Sequence, residues 1–307
     1  MISKDNQRRP PLLIGCSGWN YGDTSDKGGW AEVFYPDKET KRLRYYSQFF
    51  ETAEMDSTFY NRFYSKMTKG TFIGMTKATP EKFQFSVKVP ETITHQKRLD
   101  IDKGAITDLE EFIDKISPLK SANKLGAILI QLPPSFTVND FRNIERFLDR
   151  LPNTDKNNKF DCAIEFRHPS WKTEGPWEML KQYNIAAVIT DSPAKENLQF
   201  LSDAVITADH SFIRFHGRST KGHYWYNYLY SKQELETWID KVNQIKNQTR
   251  VLRVYFNNHY GGKAVINALQ FKEMTDASLT ALEMRALEHA EKYLSKGSNS
   301  IAKIAKL

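Results

Sequence analysis

The chain has 307 residues, 40% hydrophobic and 26% charged, with a net charge of +7 and a pI of about 9.1. That composition is globular, and a chain of this length buries roughly three quarters of its unfolded surface without disulfide or metal staples. No apolar run approaches the ~18 residues of a membrane span, and Met1–Pro10 lacks the apolar core of a secretory signal. The two cysteines, Cys16 and Cys162, lie in apolar runs and read as buried free thiols. A reducing, cytoplasmic location is therefore expected.

In chain order, short β-branched or apolar runs alternate with amphipathic stretches. The strand candidates are 12–16, 53–56, 83–88, 126–131, 161–166, 186–190, 212–216 and 251–256. Eight strands alternating with helices predict a parallel sheet closed into a single (β/α)8 TIM-type barrel, an α/β fold. Leu109, Phe112, Ile113 and Ile116 mark a helix before the fourth strand, with Pro118 helping to end it. Phe141, Ile144, Phe147, Leu148 and Leu151 mark one after it, opened by Thr137 and Asp140. Leu235, Trp238, Ile239, Val242 and Ile245 share an apolar face behind a Ser231/Glu234 capping box. The connection from strand 6 to strand 7 is irregular: 192–202 has weak periodicity and 204–209 reads as an extra strand. Leu279, Leu282, Ala286, Leu287, Ala290 and Leu294 form an additional C-terminal helix. The expected organisation is a flexible tail over 1–10, the barrel over 11–296 and a second tail over 297–307.

Function is written in how these strands end. In a barrel the C-terminal ends converge on one mouth, and side chains alternate inward and outward. Ile213 and Phe215 should face the helices, which turns Arg214, His216 and Arg218 inward. The same alternation turns Glu165 and Arg167, Gln131, and Lys88 inward. Trp19, Asp56 and Tyr60, His95, His168, Asp191 and Asn257 complete the rim. Buried ionisable groups without partners cost several kcal/mol. The set therefore either binds a ligand or closes into ion pairs, such as Glu165 with Arg214 and Asp191 with Arg167. Glu165, Asp191 and Asp56 are candidate acid–base carboxylates, with His216 or His95 moving a proton. Lys88 is a candidate electrophile or imine-forming nucleophile. Arg167, Arg214 and Arg218 suit an anion, with His168, Gln131, Asn257, Tyr60 and Trp19 as further binding residues. Glu165, His168, Asp191 and His216 could ligate a metal, but no His/Cys spacing supports it and the arginines oppose it. No cofactor is expected, and a divalent metal stays open. The run His223-Tyr224-Trp225-Tyr226-Asn227-Tyr228, beside Arg218 and Lys221, reads either as an aromatic lid or as a stacking platform. With the positive charge, it makes nucleic acid the alternative partner to a small anionic, phosphorylated or sugar-like substrate. A non-catalytic ligand-binding protein is the third possibility.

Ten ordered motifs carry a resemblance. They are Ile14-Gly15-Cys16-Ser17-Gly18-Trp19, Phe34-Tyr35-Pro36, Tyr45-Tyr46 with Phe49-Phe50, Asp56-Ser57-Thr58-Phe59-Tyr60 and Phe85-Ser86-Val87-Lys88-Val89-Pro90. Further on come Ile130-Gln131-Leu132-Pro133-Pro134, Glu165-Phe166-Arg167-His168-Pro169-Ser170-Trp171, Asp191-Ser192-Pro193, Arg214-Phe215-His216-Gly217 and Tyr255-Phe256-Asn257-Asn258. Over about residues 12–270 the chain resembles the YecE-like family, the domain of unknown function numbered 72. The resemblance implies a β/α barrel and no established activity. Asp56 departs from it: that position more often carries asparagine, so roles there do not transfer directly.

Overall fold

A computed structural model describes residues 12–151, 160–193, 204–220, 225–275 and 278–304, the last eight as backbone only. Eight parallel strands close into one barrel in sequence order. They are β1 Leu12–Ser17, β2 Thr52–Met55, β3 Gln84–Lys88, β4 Leu125–Gln131, β5 Asp161–Glu165, β6 Ala186–Asp191, β7 His210–Phe215 and β8 Val251–Phe256. Closure is made by β8 against β1, with Leu12 opposite Leu252 and Cys16 opposite Phe256. Around it, in chain order, are α1 Arg42–Tyr46, α2 Asn61–Tyr64, α3 Lys69–Ala78, α4 Ala105–Ser121, α5 Phe141–Arg150, α6 Glu174–Gln182, α7 Lys232–Glu236, α8 Ile239–Gln248, α9 Lys263–Met274 and α10 Ala281–Ile304.

The alternation of each strand splits the core in two. Outward residues such as Ile128, Ile130, Ile164, Ile213, Phe215 and Val254 pack against the helices in one large cluster. Inward residues Ala127, Leu129, Ala163, Ala186, Val188, Phe212 and Tyr255 fill the barrel. Mid-barrel, the Tyr255 hydroxyl bonds Thr52 Oγ1 (2.6 Å) and Ser86 Oγ (2.8 Å). That plug is buried and its hydroxyls are hydrogen-bonded, so ionisable groups above and below it are separated.

Four local expectations are corrected. Residues 204–209 are not a strand; β7 starts at His210. Thr207 Oγ1 instead donates to Ile185 O and accepts from Ala187 N, capping the N-terminal edge of β6. Pro118 lies inside α4, which runs on to Ser121; proline removes one helical hydrogen bond there and the last turn tolerates it. The face from Leu235 to Ile245 belongs to two helices, α7 and α8, separated at Thr237 and Trp238. The segment expected as a C-terminal tail is helical through Ile304. The rest of the 6–7 connection, 194–203, lies outside the described residues. Cys16 and Cys162 are free and buried, and burial raises both thiol pKa values, Cys162 to about 12. Among the described residues no helix is long and apolar enough to cross a membrane.

Candidate active site at the barrel mouth

Inward residues near the ends of β2, β3, β4, β5 and β7 line the mouth, and Arg214 of β7 is its hub. Its Nε and Nη2 donate to Glu54 Oε2 (2.8 Å) and Oε1 (2.6 Å), while Nη1 donates to Glu165 Oε2 (2.5 Å). All three residues are buried. Removing one member of such a buried network leaves an uncompensated charge, at a cost of about 3–5 kcal/mol. Burial raises the Glu165 pKa, but Arg214, Arg167 and His216 more than offset it and hold the carboxyl well below its ordinary value. His216 is 3.4 Å from Glu165 Oε2 through Nε2. With Asn257 Nδ2 donating to its Nδ1 (3.0 Å), the remaining ring proton points at Glu165. Burial pushes the His216 pKa down to about 4, so the ring is neutral at pH 7.

Above this hub the network continues outward. Arg167, just past β5, donates from Nε to Glu165 Oε1 (2.8 Å) and from Nη2 to Gln131 Oε1 (2.8 Å). Lys88, at the end of β3, donates to that same Gln131 oxygen (2.9 Å). Its ammonium lies 3.7 Å from the centroid of the Phe59 ring. Local hydrogen bonds place that ring. Thr58 Oγ1 donates to Lys88 O (2.6 Å) and Met55 O (3.1 Å), and Phe59 O accepts from Glu91 N (2.9 Å). The loop after β2 is thereby tied to the end of β3. Burial lowers the Lys88 pKa to about 7, helped by Arg214 and Arg167 and opposed by Glu165 and Asp56.

His95 lies on a single π-helical turn, Thr92–Gln96, and meets Phe59 edge-on at 4.8 Å. Its Nδ1 bonds Thr94 Oγ1 (2.8 Å), and burial with the charges of Lys88 and Arg167 lowers its pKa to about 4. Arg98 and Leu99 follow, both left-handed (φ 53° and 55°), a strained geometry held by Arg98 bonds to Asp140 Oδ2 and Ser135. Asp56 is half-buried at the end of β2, and its charge acts on Lys88, Tyr60, Tyr21 and His259. Tyr60, 41% exposed, stands at the outer edge. Tyr21, His259 and Tyr226 stack at 4.7 and 4.6 Å. Gly18 (φ 88°) allows the Tyr21 hydroxyl to reach Ser17 O, because a Cβ there would lie 2.6 Å from that hydroxyl. Ser17 Oγ itself is buried with no hydrogen-bond partner among the described residues.

Other residues expected at the mouth lie elsewhere. Asp191 faces outward, because Ala186 and Val188 take the inward positions of β6. Its carboxylate accepts from Arg218 Nε and Nη2 (2.8 and 2.5 Å), Tyr230 OH (2.8 Å) and Trp238 Nε1 (2.9 Å). The expected Asp191–Arg167 pair is thus replaced by Asp191–Arg218, and both residues serve to fix the loop after β7 against the helices. Arg218 escapes the inward alternation because Gly217 (φ 90°) breaks the strand. His168 caps the turn Pro169–Trp171, Nδ1 accepting from Ser170 N. Trp19 packs on Phe85, an outward core residue, at 5.7 Å. In the aromatic run, 221–224 lie outside the described residues, while Tyr226 covers His259 and Tyr228 OH donates to Glu234. Glu54 was missed, although the alternation Ala53 and Met55 against Thr52, Glu54 and Asp56 carries it. Phe59, Tyr21 and His259 had no such signal.

A second charged cluster, Asp161, Asp209 and His210, has ligand atoms within 4.8 Å of one another. It lies at the opposite, N-terminal end of the barrel. Arg250 and Arg253 already donate to Asp161 (2.7 and 2.8 Å), and Arg250 also reaches Asp209. Two guanidiniums in those positions disfavour a cation.

The motifs along the strand ends have a counterpart in known proteins: the family model described as "Protein of unknown function DUF72" matches residues 13–291. The chain belongs to the DUF72 family. The UPF0759 protein YunF of Bacillus subtilis is 29% identical over 304 residues, covering 90% of this chain and 99% of that one. YecE of Escherichia coli is 27% identical over 222 residues, covering 66% and 74%. A solved DUF72 protein of Thermotoga maritima superposes with a TM-score of 0.72 at 33% identity, covering 86% of this chain and 98% of its own. One of Enterococcus faecalis gives 0.73 at 24% identity, over 88% and 97%. The DUF72 barrel therefore spans nearly the whole of this chain.

Proposed function

We propose that this DUF72 protein is an enzyme acting on a small anionic, phosphorylated or sugar-like substrate at the barrel mouth. The carrying observation is that two cations, Lys88 and Arg167, donate to one neutral oxygen, Gln131 Oε1. The arginines lower the Lys88 pKa more than the carboxylates raise it, so the potential at that nitrogen is positive. An anion seated there relieves the repulsion and supplies charge-assisted hydrogen bonds. Asp56, half-buried beside them, is the available acid–base group, since Glu54 and Glu165 are engaged by arginine. Substrate-bearing sites in barrels of this class lie at this end.

Calorimetric titration with inorganic phosphate and dihydroxyacetone phosphate tests the reading. K88M and R167Q should each weaken binding by about tenfold or more, the loss of one charge-assisted hydrogen bond. Binding to the wild type should weaken as pH rises through about 7, where Lys88 loses its proton. Equal affinity in all three proteins, or no binding to the wild type, overturns the proposal.

A further inference from the structure

Lys88 differs from the other buried cations of the barrel. Among the described residues Arg214 pairs with the carboxylates of Glu54 and Glu165, Arg167 with Glu165 and Arg253 with Asp161. Lys124, also buried, spends its ammonium on three acceptors: Thr76 O (2.8 Å), Thr79 O (2.8 Å) and Thr79 Oγ1 (2.9 Å). Lys88 has three N–H groups, 6% exposure, and among the described residues one acceptor, the carbonyl of Gln131. Its other close neighbour is an aromatic face. A lysine required only for structure or charge is expected to resemble Lys124. A lysine that must work as a neutral amine is expected to have few acceptors, an apolar wall and cations nearby.

We propose that Lys88 forms an imine with the carbonyl carbon of a small aldehyde or ketone, which narrows the substrate class of the mouth and rests on the anion-binding reading above. The Nζ lone pair adds to the carbonyl carbon, forming the C–N bond, and the carbonyl oxygen takes a proton. The nitrogen then loses a proton to give the carbinolamine, the hydroxyl takes a second proton, the C–O bond breaks and water leaves; loss of the last N–H proton gives the imine, so one amine and one carbonyl give one imine and one water. The Asp56 carboxylate, which has no hydrogen-bond partner among the described residues, is placed at the end of the neighbouring strand to carry those protons. The protonated imine withdraws electrons from the adjacent carbon more strongly than the parent carbonyl, which is the chemistry of isomerases and lyases acting next to a carbonyl. With Lys88 titrating at about 7, its neutral fraction at pH 7 exceeds that of an exposed lysine by on the order of a thousandfold.

The test is reductive trapping. The full chain is incubated at pH 7 with dihydroxyacetone phosphate or with pyruvate, together with cyanoborohydride, and each lysine is followed by peptide mass spectrometry. Hydride adds to the imine carbon and leaves a stable secondary amine. Lys88 should be modified at least about tenfold faster than exposed lysines such as Lys69 and Lys181, and excess inorganic phosphate should slow it while leaving theirs unchanged. K88R, which keeps the charge, should lose the adduct while retaining phosphate binding in the titration. Modification of Lys88 no faster than of the surface lysines overturns the imine, and if phosphate still binds, the anion-site reading survives. Rapid labelling that phosphate does not slow, with no phosphate binding, overturns the anion site and leaves the imine standing.

Discussion

At the scale of single residues, the mouth combines groups that stabilise one another with one that does not. Glu54, Arg214 and Glu165 satisfy each other. Keeping Lys88 protonated is a cost to the fold. Its folded pKa is lowered from 10.5 to about 7, so between those values the unfolded chain binds a proton that the folded chain refuses. Stability is therefore lost as pH falls from 10.5 to 7, and the loss is complete below 7. Replacing Lys88 by methionine should stabilise the protein by up to about 5 kcal/mol at neutral pH. Urea denaturation at a series of pH values should show the gap closing as pH rises toward 10.5. A K88M protein no more stable than wild type at pH 7 would mean that the ammonium is well solvated and its burial of no consequence. Alternation made Lys88, Gln131, Glu165 and Arg214 legible in the sequence, because apolar neighbours on both sides force them inward. Asp191 was expected at the rim from its place at the strand end alone; the same alternation, with Ala186 and Val188 inward, turns it outward.

At the scale of elements, the segment from β3 to α4 shows how the site is held. A π-helical turn presents His95 toward Phe59, and Arg98 and Leu99 bring the chain back through left-handed backbone. Arg98 holds that conformation by reaching Ser135 and Asp140 of the next loop. Substituting Arg98 removes those contacts, and the two smallest replacements separate contact from strain. R98A keeps the left-handed penalty, whereas R98G relieves it. R98G should be the more stable of the pair by about 0.5–1 kcal/mol, measured as a shift in denaturation midpoint. An R98A protein as stable as R98G would show that the turn relaxes once the arginine is gone. Nothing in the run Thr92–Asp100 announces a π-turn, since it has no distinctive periodicity. The helix starts at Thr137 and Ser231, by contrast, were legible because a capping box is a local pattern.

At the scale of the whole molecule, the barrel encloses titratable groups whose protonation is tied to folding. His216 falls from 6.5 to about 4 on burial, so from pH 6.5 to 4 the unfolded chain takes up a proton that the native state does not. Below about 4.5 Glu165, held well under its ordinary value, adds a second loss in the same direction. His216 should contribute about 3 kcal/mol of the fall over this window, and H216Q should remove that share while the slope from His95, lowered in the same direction, and the Glu165 arm remain. Parallel wild-type and H216Q profiles between pH 6.5 and 4.5 would exclude His216 as the cause. The cost is collective: Arg214 is the counter-ion for residues from β2 and β5 at once, which only closure of the sheet permits.

The amino-acid sequence by itself determined the eight parallel strands, their closure into a barrel, the family motifs and the inward direction of most rim residues. These follow from local periodicity and from the order of elements along the chain. Tertiary structure alone decided the partners: Glu54 rather than Asp191 in the central network, Asp191 with Arg218 on the outer face, and Phe59 against Lys88. Pairing depends on which strand ends are neighbours across the mouth and at what height. That is set by the register of the closed sheet and by loop hydrogen bonds, and no stretch of neighbouring residues encodes either.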